Sequence, residues 1–327
     1  MRDVVLLATG GTIASRRDAS GSAVAAVSGA DLVAGLPIQA DVRVQVDDVL
    51  RVGGYLMTLP LMAVLAERAC EHLRRPEVAG LVVTHGTDTT EETAFLLDLV
   101  GADERPVVLT GAQRPADAPD SDGPANLADA VAVAAAPAAR GLGALVVFGG
   151  RVFAARGVRK SHTLAVDTFT SPSGGAIGWV RDGRVQVELR PRRRPALPLP
   201  PGALDAVRVD VAALYPGADA TALHAFADAG ARGIVLEATG AGNANPTVCQ
   251  AVGELSRRGV VLVTSTRVEA GPVAALYGNG GGTDLVRAGA VASGALRPSQ
   301  ARVLLAVLLS ISDDPQSVRE QFTEHVT

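Results

Sequence analysis

The sequence predicts an α/β protein. It is read as two α/β domains: a larger N-terminal one whose mainly parallel sheet is flanked by helices, and a smaller C-terminal one, also with a parallel sheet. Three observations predict this. Short, continuous apolar runs recur along the chain, as expected of strands buried on both faces. Amphipathic stretches of helical period separate those runs, the alternation that builds parallel sheets. A proline- and arginine-rich segment then interrupts the pattern, after which it resumes. With 327 residues, 48% of them apolar and only 3% aromatic, the core must be filled by Ala, Val and Leu.

In the first half the strand candidates are VVLLA at 4–8, LVVT at 81–84, PVVLT at 106–110 and GALVVF at 143–148. The helical stretches are TLPLMAVLAERACEHLRR from Thr58, TEETAFLLDLV from Thr90 and GPANLADAVAVAAA from Gly123. Thr58 suits an N-cap, with Pro60 tolerated in the first turn. From Arg190 the chain reads RPRRRPALPLPPGAL, a composition that suits an extended linker with solvated arginines. The expected boundaries are therefore 1–190 for the N-terminal domain, 191–204 for the linker and 205–327 for the C-terminal domain. In the last of these AVRVDVAA, GIVLEAT at 233–239 and GVVLVTST at 259–266 read as strands. Asn245 and Pro246 open a helix between the last two, and two terminal helices follow.

Composition narrows the function. The formal net charge of −4 gives no electrostatic reason to expect nucleic acid or an anionic membrane as partner. Cys70 and Cys249 form no disulfide framework, and the five histidines show no metal-binding spacing. No apolar stretch reaches the ~18 residues of a membrane span. The short run before Thr9-Gly10-Gly11 does not make a secretory signal, and a cytoplasmic location is expected. A small soluble molecule fits best as partner, and neither a metal-ligand spacing nor a nucleotide-binding fingerprint points to a cofactor.

Ligands of open parallel sheets bind at the carboxyl ends of strands. Those ends here carry Thr9-Gly10-Gly11-Thr12, Gly86-Thr87-Asp88 and Gly111-Ala112-Gln113. The first is neither a dinucleotide fingerprint nor a P-loop, and taken alone it reads as a tight turn. In THGTDTTEET, Thr89 with Glu92 fits a capping box, and Glu91 with Glu92 complements the helix dipole. His85 reads as a structural residue. Capping leaves Gly86, Thr87 and Asp88 unexplained. A threonine nucleophile needs a base, and Lys160 is the only lysine among the 30 basic residues. Its amine can exchange a proton where arginine stays charged, although a surviving surface lysine is the alternative.

The segments ATGGTIAS at 8–15 and VVTHGTDTTEETAFLLDL at 82–99 resemble the two signature segments of the bacterial-type L-asparaginases. The likeness continues in order through PVVLTGAQRP, SDGPANLADAV, ARGVRKSHTLAVDTF, GAGNAN and GALRPSQARVLL, nearly the whole chain. The resemblance implies hydrolysis of the side-chain amide of L-asparagine by double displacement through a threonine acyl-enzyme. Thr12 would be the nucleophile, with Thr87, Asp88 and Lys160 as a facing cluster and Asp88 gripping the substrate α-amino group. Backbone N–H groups near Gly11 and Thr87 would form the oxyanion hole, for which Gly10, Gly11 and Gly86 give close approach, and Ala112 would offer its carbonyl to the amide. Gly54 and Tyr55 occupy the positions where relatives carry a Ser-Gln or Ser-x pair for the α-carboxylate. A homotetramer, a dimer of dimers with shared sites, is implied, and Asn245 matches the asparagine that a neighbouring subunit brings in. The loop SRRDASGSAVAAVSGADL lacks the tyrosine that relatives usually place near the nucleophile. Broader amidase action, and binding of asparagine or aspartate without turnover, are the other readings.

Overall fold

The structure is a computed structural model and describes all residues from 1 to 327. The chain forms two compact units, Met1–Ala196 and Leu197–Thr327.

The first unit begins with β1 (Arg2–Gly10), every residue of which after Arg2 is buried. A short hairpin of β2 (Ser15–Arg17) and β3 (Ala23–Ala25) follows, then α1 (Gly29–Val33) and β4 (Val42–Val52). Next come α2 (Leu59–Leu73), β5 (Val78–Thr84), α3 (Thr90–Val100), β6 (Val107–Thr110), α4 (Gly123–Ala135) and β7 (Ala144–Phe148). The unit ends with β8 (Arg151–Ala154), the small β9 (Arg159–Lys160) and β10 (Phe169–Thr170) pair, and β11 (Gly178–Arg181) and β12 (Arg184–Val187). One sheet carries the order β12-β11-β8-β7-β6-β5-β1-β4. From β4 to β7 all pairings are parallel, while β8, β11 and β12 extend it antiparallel. The fold class is the expected one.

In the second unit β13 (Val209–Ala213), α5 (Thr221–Asp228), β14 (Gly233–Ala238), α6 (Pro246–Arg257), β15 (Val261–Thr266), α7 (Gly282–Arg287) and β16 (Val291–Ala292) alternate. The four strands pair in parallel in chain order. Two helices close the chain, α8 (Pro298–Ile311) and α9 (Pro315–Val326). No helix is long and apolar enough to cross a membrane.

Several expectations need correction. Strand β4 was not foreseen, because its residues alternate between exposed and half-buried along most of its length, as suits a sheet edge. The antiparallel β8, β11 and β12 were missed for their brevity. The linker arginines expected in solvent are partly tied down: Arg190 donates to the carbonyls of Arg140 and Ala138, and Arg193 to those of Gly101 and Asp103. These donors satisfy loop carbonyls that no sheet or helix would otherwise reach.

The connectivity of the large sheet also locates its crevice. From β1 the chain moves outward to β4, then crosses to β5 on the opposite side of β1. The order therefore reverses between β1 and β5, and the loops leaving their carboxyl ends diverge there.

Candidate active site

Three chain segments meet at that reversal, and they meet through glycine. A Cβ on Gly11, after β1, would lie 2.5 Å from the Gly86 nitrogen and 2.6 Å from its Cα. Gly11 also has a φ of 77°, which a side chain disfavours. A Cβ on Gly54, after β4, would stand 2.8 Å from the Gly86 carbonyl oxygen. Backbone thus packs on backbone, and the segments carrying Thr12, Tyr55 and Thr87 are held side by side. Gly11 N–H donates to Val52 O at 3.0 Å, which ties the first loop to the end of β4.

Thr12 opens a single 3₁₀ turn, Thr12–Ala14, and is half-buried. Its turn is braced by the Ser15 hydroxyl, which donates to Gly11 O at 2.9 Å. Thr87 and Asp88 lie in a second 3₁₀ turn, Thr87–Thr89, that leads directly into α3. Lys160 reaches them from the β9–β10 pair. Its Nζ donates to Thr87 Oγ1 at 2.9 Å and to Asp88 Oδ1 at 2.8 Å. The Lys160 side chain is largely buried whereas half of Asp88 is exposed, so the carboxylate has a face open to an entering ligand. Thr87, Asp88 and Lys160 are therefore one cluster, although more than 70 residues separate the lysine from the other two.

Sequence reasoning missed two members of this cluster. Glu91, expected only to complement the helix dipole, accepts the Lys160 backbone N–H at Oε2, 2.9 Å away. Gln113 accepts the Thr87 hydroxyl proton at Oε1, 3.0 Å away. Neither carried a sequence signal, since both contacts are long-range. The capping box is also corrected: Thr89 sits at the N-cap but its side chain caps nothing, and its hydroxyl donates to Gly54 O at 2.8 Å. That bond joins the segment after β4 to the start of α3.

His85 is completely buried, and burial pushes its imidazole down to about 4, so the ring is neutral. Nδ1–H donates to Gly86 O at 2.8 Å, and the Thr93 hydroxyl donates to Nε2 at 3.0 Å. The Thr90 hydroxyl reaches the same Gly86 carbonyl at 3.0 Å. In a trans peptide C=O and N–H point in opposite directions. Anchoring Gly86 O toward α3 consequently turns the Thr87 N–H away from the helix. The histidine is a structural brace for this peptide.

Ala112 follows β6 and is fully buried in the core. Tyr55 is 75% exposed, with its ring lying over Gly53. Asn245 belongs to the second unit. It caps α6, where Oδ1 accepts from Val248 N–H at 3.0 Å and Nδ2 donates to Ala218 O at 2.7 Å. No group of three or more His, Cys, Asp or Glu side chains is gathered closely enough to hold a metal ion.

Comparison with known proteins agrees with this architecture. Residues 3–193 match the family model described as asparaginase, N-terminal, and residues 208–322 the glutaminase/asparaginase C-terminal domain. The chain is 35% identical over 329 residues to a probable periplasmic L-asparaginase of Haemophilus influenzae, covering 98% of this chain and 93% of that protein. It is 38% identical over 330 residues to a probable L-asparaginase of Deinococcus radiodurans, covering 99% and 98% of the two. Among solved structures, a probable cytoplasmic L-asparaginase from Campylobacter jejuni superposes with a TM-score of 0.88 at 32% identity, covering 98% of this chain and 99% of that one. Both halves of the molecule thus lead to one assignment: the chain belongs to the asparaginase family.

Proposed function

We propose that this protein is an L-asparaginase that hydrolyses the side-chain amide of L-asparagine to L-aspartate and ammonia. The observation that carries the reading is the Lys160 amine held against both Thr87 Oγ1 and Asp88 Oδ1, at the point where the strand order reverses. Thr12 begins the neighbouring turn.

In this reading the substrate's α-amino group meets the open face of Asp88, and its amide carbon lies against Thr12. The Thr12 oxygen bonds to the amide carbon, the C–N bond breaks, and the amide nitrogen leaves as ammonia after taking up the hydroxyl proton. Water then adds to the β-aspartyl ester, its proton returning to the Thr12 oxygen as the ester bond breaks. The hydroxyl–amine–carboxylate cluster serves these proton movements, for which short, fixed contacts are the first requirement. Backbone N–H groups near Gly11 and Thr87 receive the developing oxyanion, and the braced Gly86–Thr87 peptide supports that role. Ala112 offers its carbonyl to the amide NH₂.

A broader glutaminase–asparaginase activity is the second reading. It rests on Gly54, where no side chain fits against Gly86 and where relatives place a serine for the substrate carboxylate. Tyr55, the next residue, is 75% exposed. Comparing kcat/KM for L-asparagine, L-glutamine and D-asparagine separates the two readings.

We further propose a homotetramer whose sites are completed by a neighbouring subunit. Asn245 uses one lone pair of Oδ1 and one hydrogen of Nδ2 within its own unit, which leaves one of each for a partner's site. A cytoplasmic location is proposed on the two cysteines, both free thiols. The decisive experiment is ammonia release from L-asparagine. The wild-type protein should release it steadily, and Thr12→Ala should abolish release while keeping the wild-type circular dichroism spectrum and melting temperature. A fully active Thr12→Ala enzyme would remove the nucleophile assignment, and tight asparagine binding without ammonia would make the protein a binder instead.

A further inference from the structure

We propose that Gln113 is a positioning residue that fixes the direction of the Thr87 hydroxyl proton, so that Thr87 Oγ1 faces the reacting groups as a hydrogen-bond acceptor. The inference rests on the reading of Thr87 as part of the active site, and it adds a residue to which neither the composition nor the motif pattern gave a role.

The argument is one of donors and acceptors. A glutamine amide has one oxygen, which only accepts, and one NH₂, which only donates. Gln113 Nε2 lies 3.3 Å from Thr163 O and 3.2 Å from Ala165 O. Both partners are carbonyl oxygens, so the NH₂ must face them; the flipped amide would set three acceptors together. Oε1 is thereby fixed toward Thr87, 3.0 Å from Oγ1. Since Oε1 can only accept, the Thr87 hydroxyl must donate its single proton there. Lys160 Nζ, an obligate donor when charged, fills one lone pair of the same Oγ1 at 2.9 Å. One lone pair remains. In the order Lys160 to Thr87 to Gln113 to the two carbonyls, every hydrogen bond points the same way.

Both supports of this relay are themselves held. The backbone N–H groups of Gln113 and Arg114 donate to the Asp122 carboxylate at 2.9–3.1 Å. Asn126 Nδ2 fixes that carboxylate in turn at 3.1 Å. On the other side, Leu164 N–H and Ala165 N–H donate to His162 Nδ1 at 3.0 and 2.9 Å, which shapes the turn presenting the two carbonyls. A hydroxyl is otherwise a free rotor, and the relay removes that freedom before a ligand arrives. The remaining lone pair of Thr87 can then accept from the water that cleaves the acyl-enzyme, orienting its oxygen for attack.

The test uses the full-length enzyme with two substitutions. Gln113→Met keeps length and bulk but removes both polar ends, so the Thr87 hydroxyl is free to turn its proton toward the ligand. kcat for L-asparagine should fall roughly three- to tenfold, about the worth of one neutral hydrogen bond, with KM within about twofold of wild type. In Gln113→Glu an ionised carboxylate still accepts from Thr87 but faces the Thr163 and Ala165 carbonyls with no proton. When protonated it donates to one of them and again accepts from Thr87, as the amide does. Relative to wild type, kcat of Gln113→Glu should therefore recover as the pH is lowered from 8 toward 5, while a loss in Gln113→Met that falls on kcat and leaves KM alone is the split that a merely structural side chain would not produce. Unchanged kcat in Gln113→Met, or a Gln113→Glu to wild-type ratio that is flat with pH, would overturn the proposal. Thr87→Val distinguishes the two levels. If it is inactive while Gln113→Met is normal, only the positioning role fails. If Thr87→Val is fully active, the reading of the site fails with it.

Discussion

Replacing Gly86 by alanine should both destabilise the first unit and disable the site. The backbone at Gly86 has φ −69° and ψ 131°, which alanine adopts without strain, so any effect must come from space. The added methyl would lie 2.6 Å from the Gly54 Cα, closer still to the Gly54 nitrogen, and 3.5 Å from the Gly11 Cα. Carbon atoms rest at about 3.5–4.0 Å, so one segment must move by roughly 1 Å. Neither moves easily. Gly54 O is held by the Thr89 hydroxyl, and Gly86 O by His85 and Thr90. Overpacking a well-filled interior costs about 1–3 kcal/mol, and a clash with two backbone atoms of Gly54 belongs at the upper end, ~3 kcal/mol. For a unit of this size each kcal/mol lowers the melting temperature by about 2–4 °C, which gives a drop of roughly 6–12 °C. A shift of that size between Thr12 and Thr87 should also reduce kcat/KM about 10²-fold. Calorimetry with ammonia release measures both. The control is Gly174→Ala, at an exposed glycine whose only near neighbour is the Ser171 hydroxyl, 3.3 Å away. A Gly86→Ala enzyme that melts within about 2 °C of wild type and keeps its rate would refute the claim that the segments are packed in contact.

Two further outcomes are expected from titratable groups. Folding lowers the His85 imidazole from 6.5 to about 4, so between these values the unfolded chain holds a proton that the native one lacks. The resulting stability is complete above pH 6.5 and is lost as the pH falls toward 4, by about 3 kcal/mol in all. Denaturant titrations at pH 7.5, 6 and 5 should therefore show a steeper decline for wild type than for His85→Gln, and equal declines would count against a neutral buried ring. Burial, with a smaller contribution from the Asp284 charge, pushes the Cys249 thiol up to about 11, while Cys70 is exposed. A disulfide reagent at pH 8 should label one thiol per native chain quickly and the second only in denaturant; two fast thiols would contradict the burial of Cys249.

Much of this fold is legible in the sequence because burial leaves a local trace. Strands covered on both faces, such as β1 and β5, are continuous apolar runs, and the turn residues at their ends stand out against them. Strand β4 carries Arg43, Gln45 and Asp47 at alternate positions, so a search for apolar runs passes over it. The same distinction applies to the proposed site. The types of its residues, a threonine pair, an aspartate and one lysine, can be read from composition and motif. Their partners cannot. Glu91 and Gln113 act through hydrogen bonds that span 69 and 26 residues, and nothing local tells a glutamate that braces a lysine from one that faces solvent.

The crowding of hydroxyls and carboxylates before α3 has a physical account that helix capping does not supply. A conventional N-terminus would use Thr89 and the acids of the first turn to satisfy its own unpaired N–H groups. Here Thr89 turns outward to the Gly54 carbonyl, and Thr90 turns back to Gly86 O. Three further groups converge on a single residue. Thr87 and Asp88 take the Lys160 amine, and Glu91 takes its backbone N–H. The lysine is thus gripped at both ends by one helical start, and its largely buried stem lies between them. An arginine would not serve the inner end in the same way, because a guanidinium stays protonated whereas a lysine amine can exchange a proton with the hydroxyl and carboxylate it touches. In a chain that uses arginine at 29 of its 30 basic positions, the one lysine stands where the proposed reaction needs that exchange.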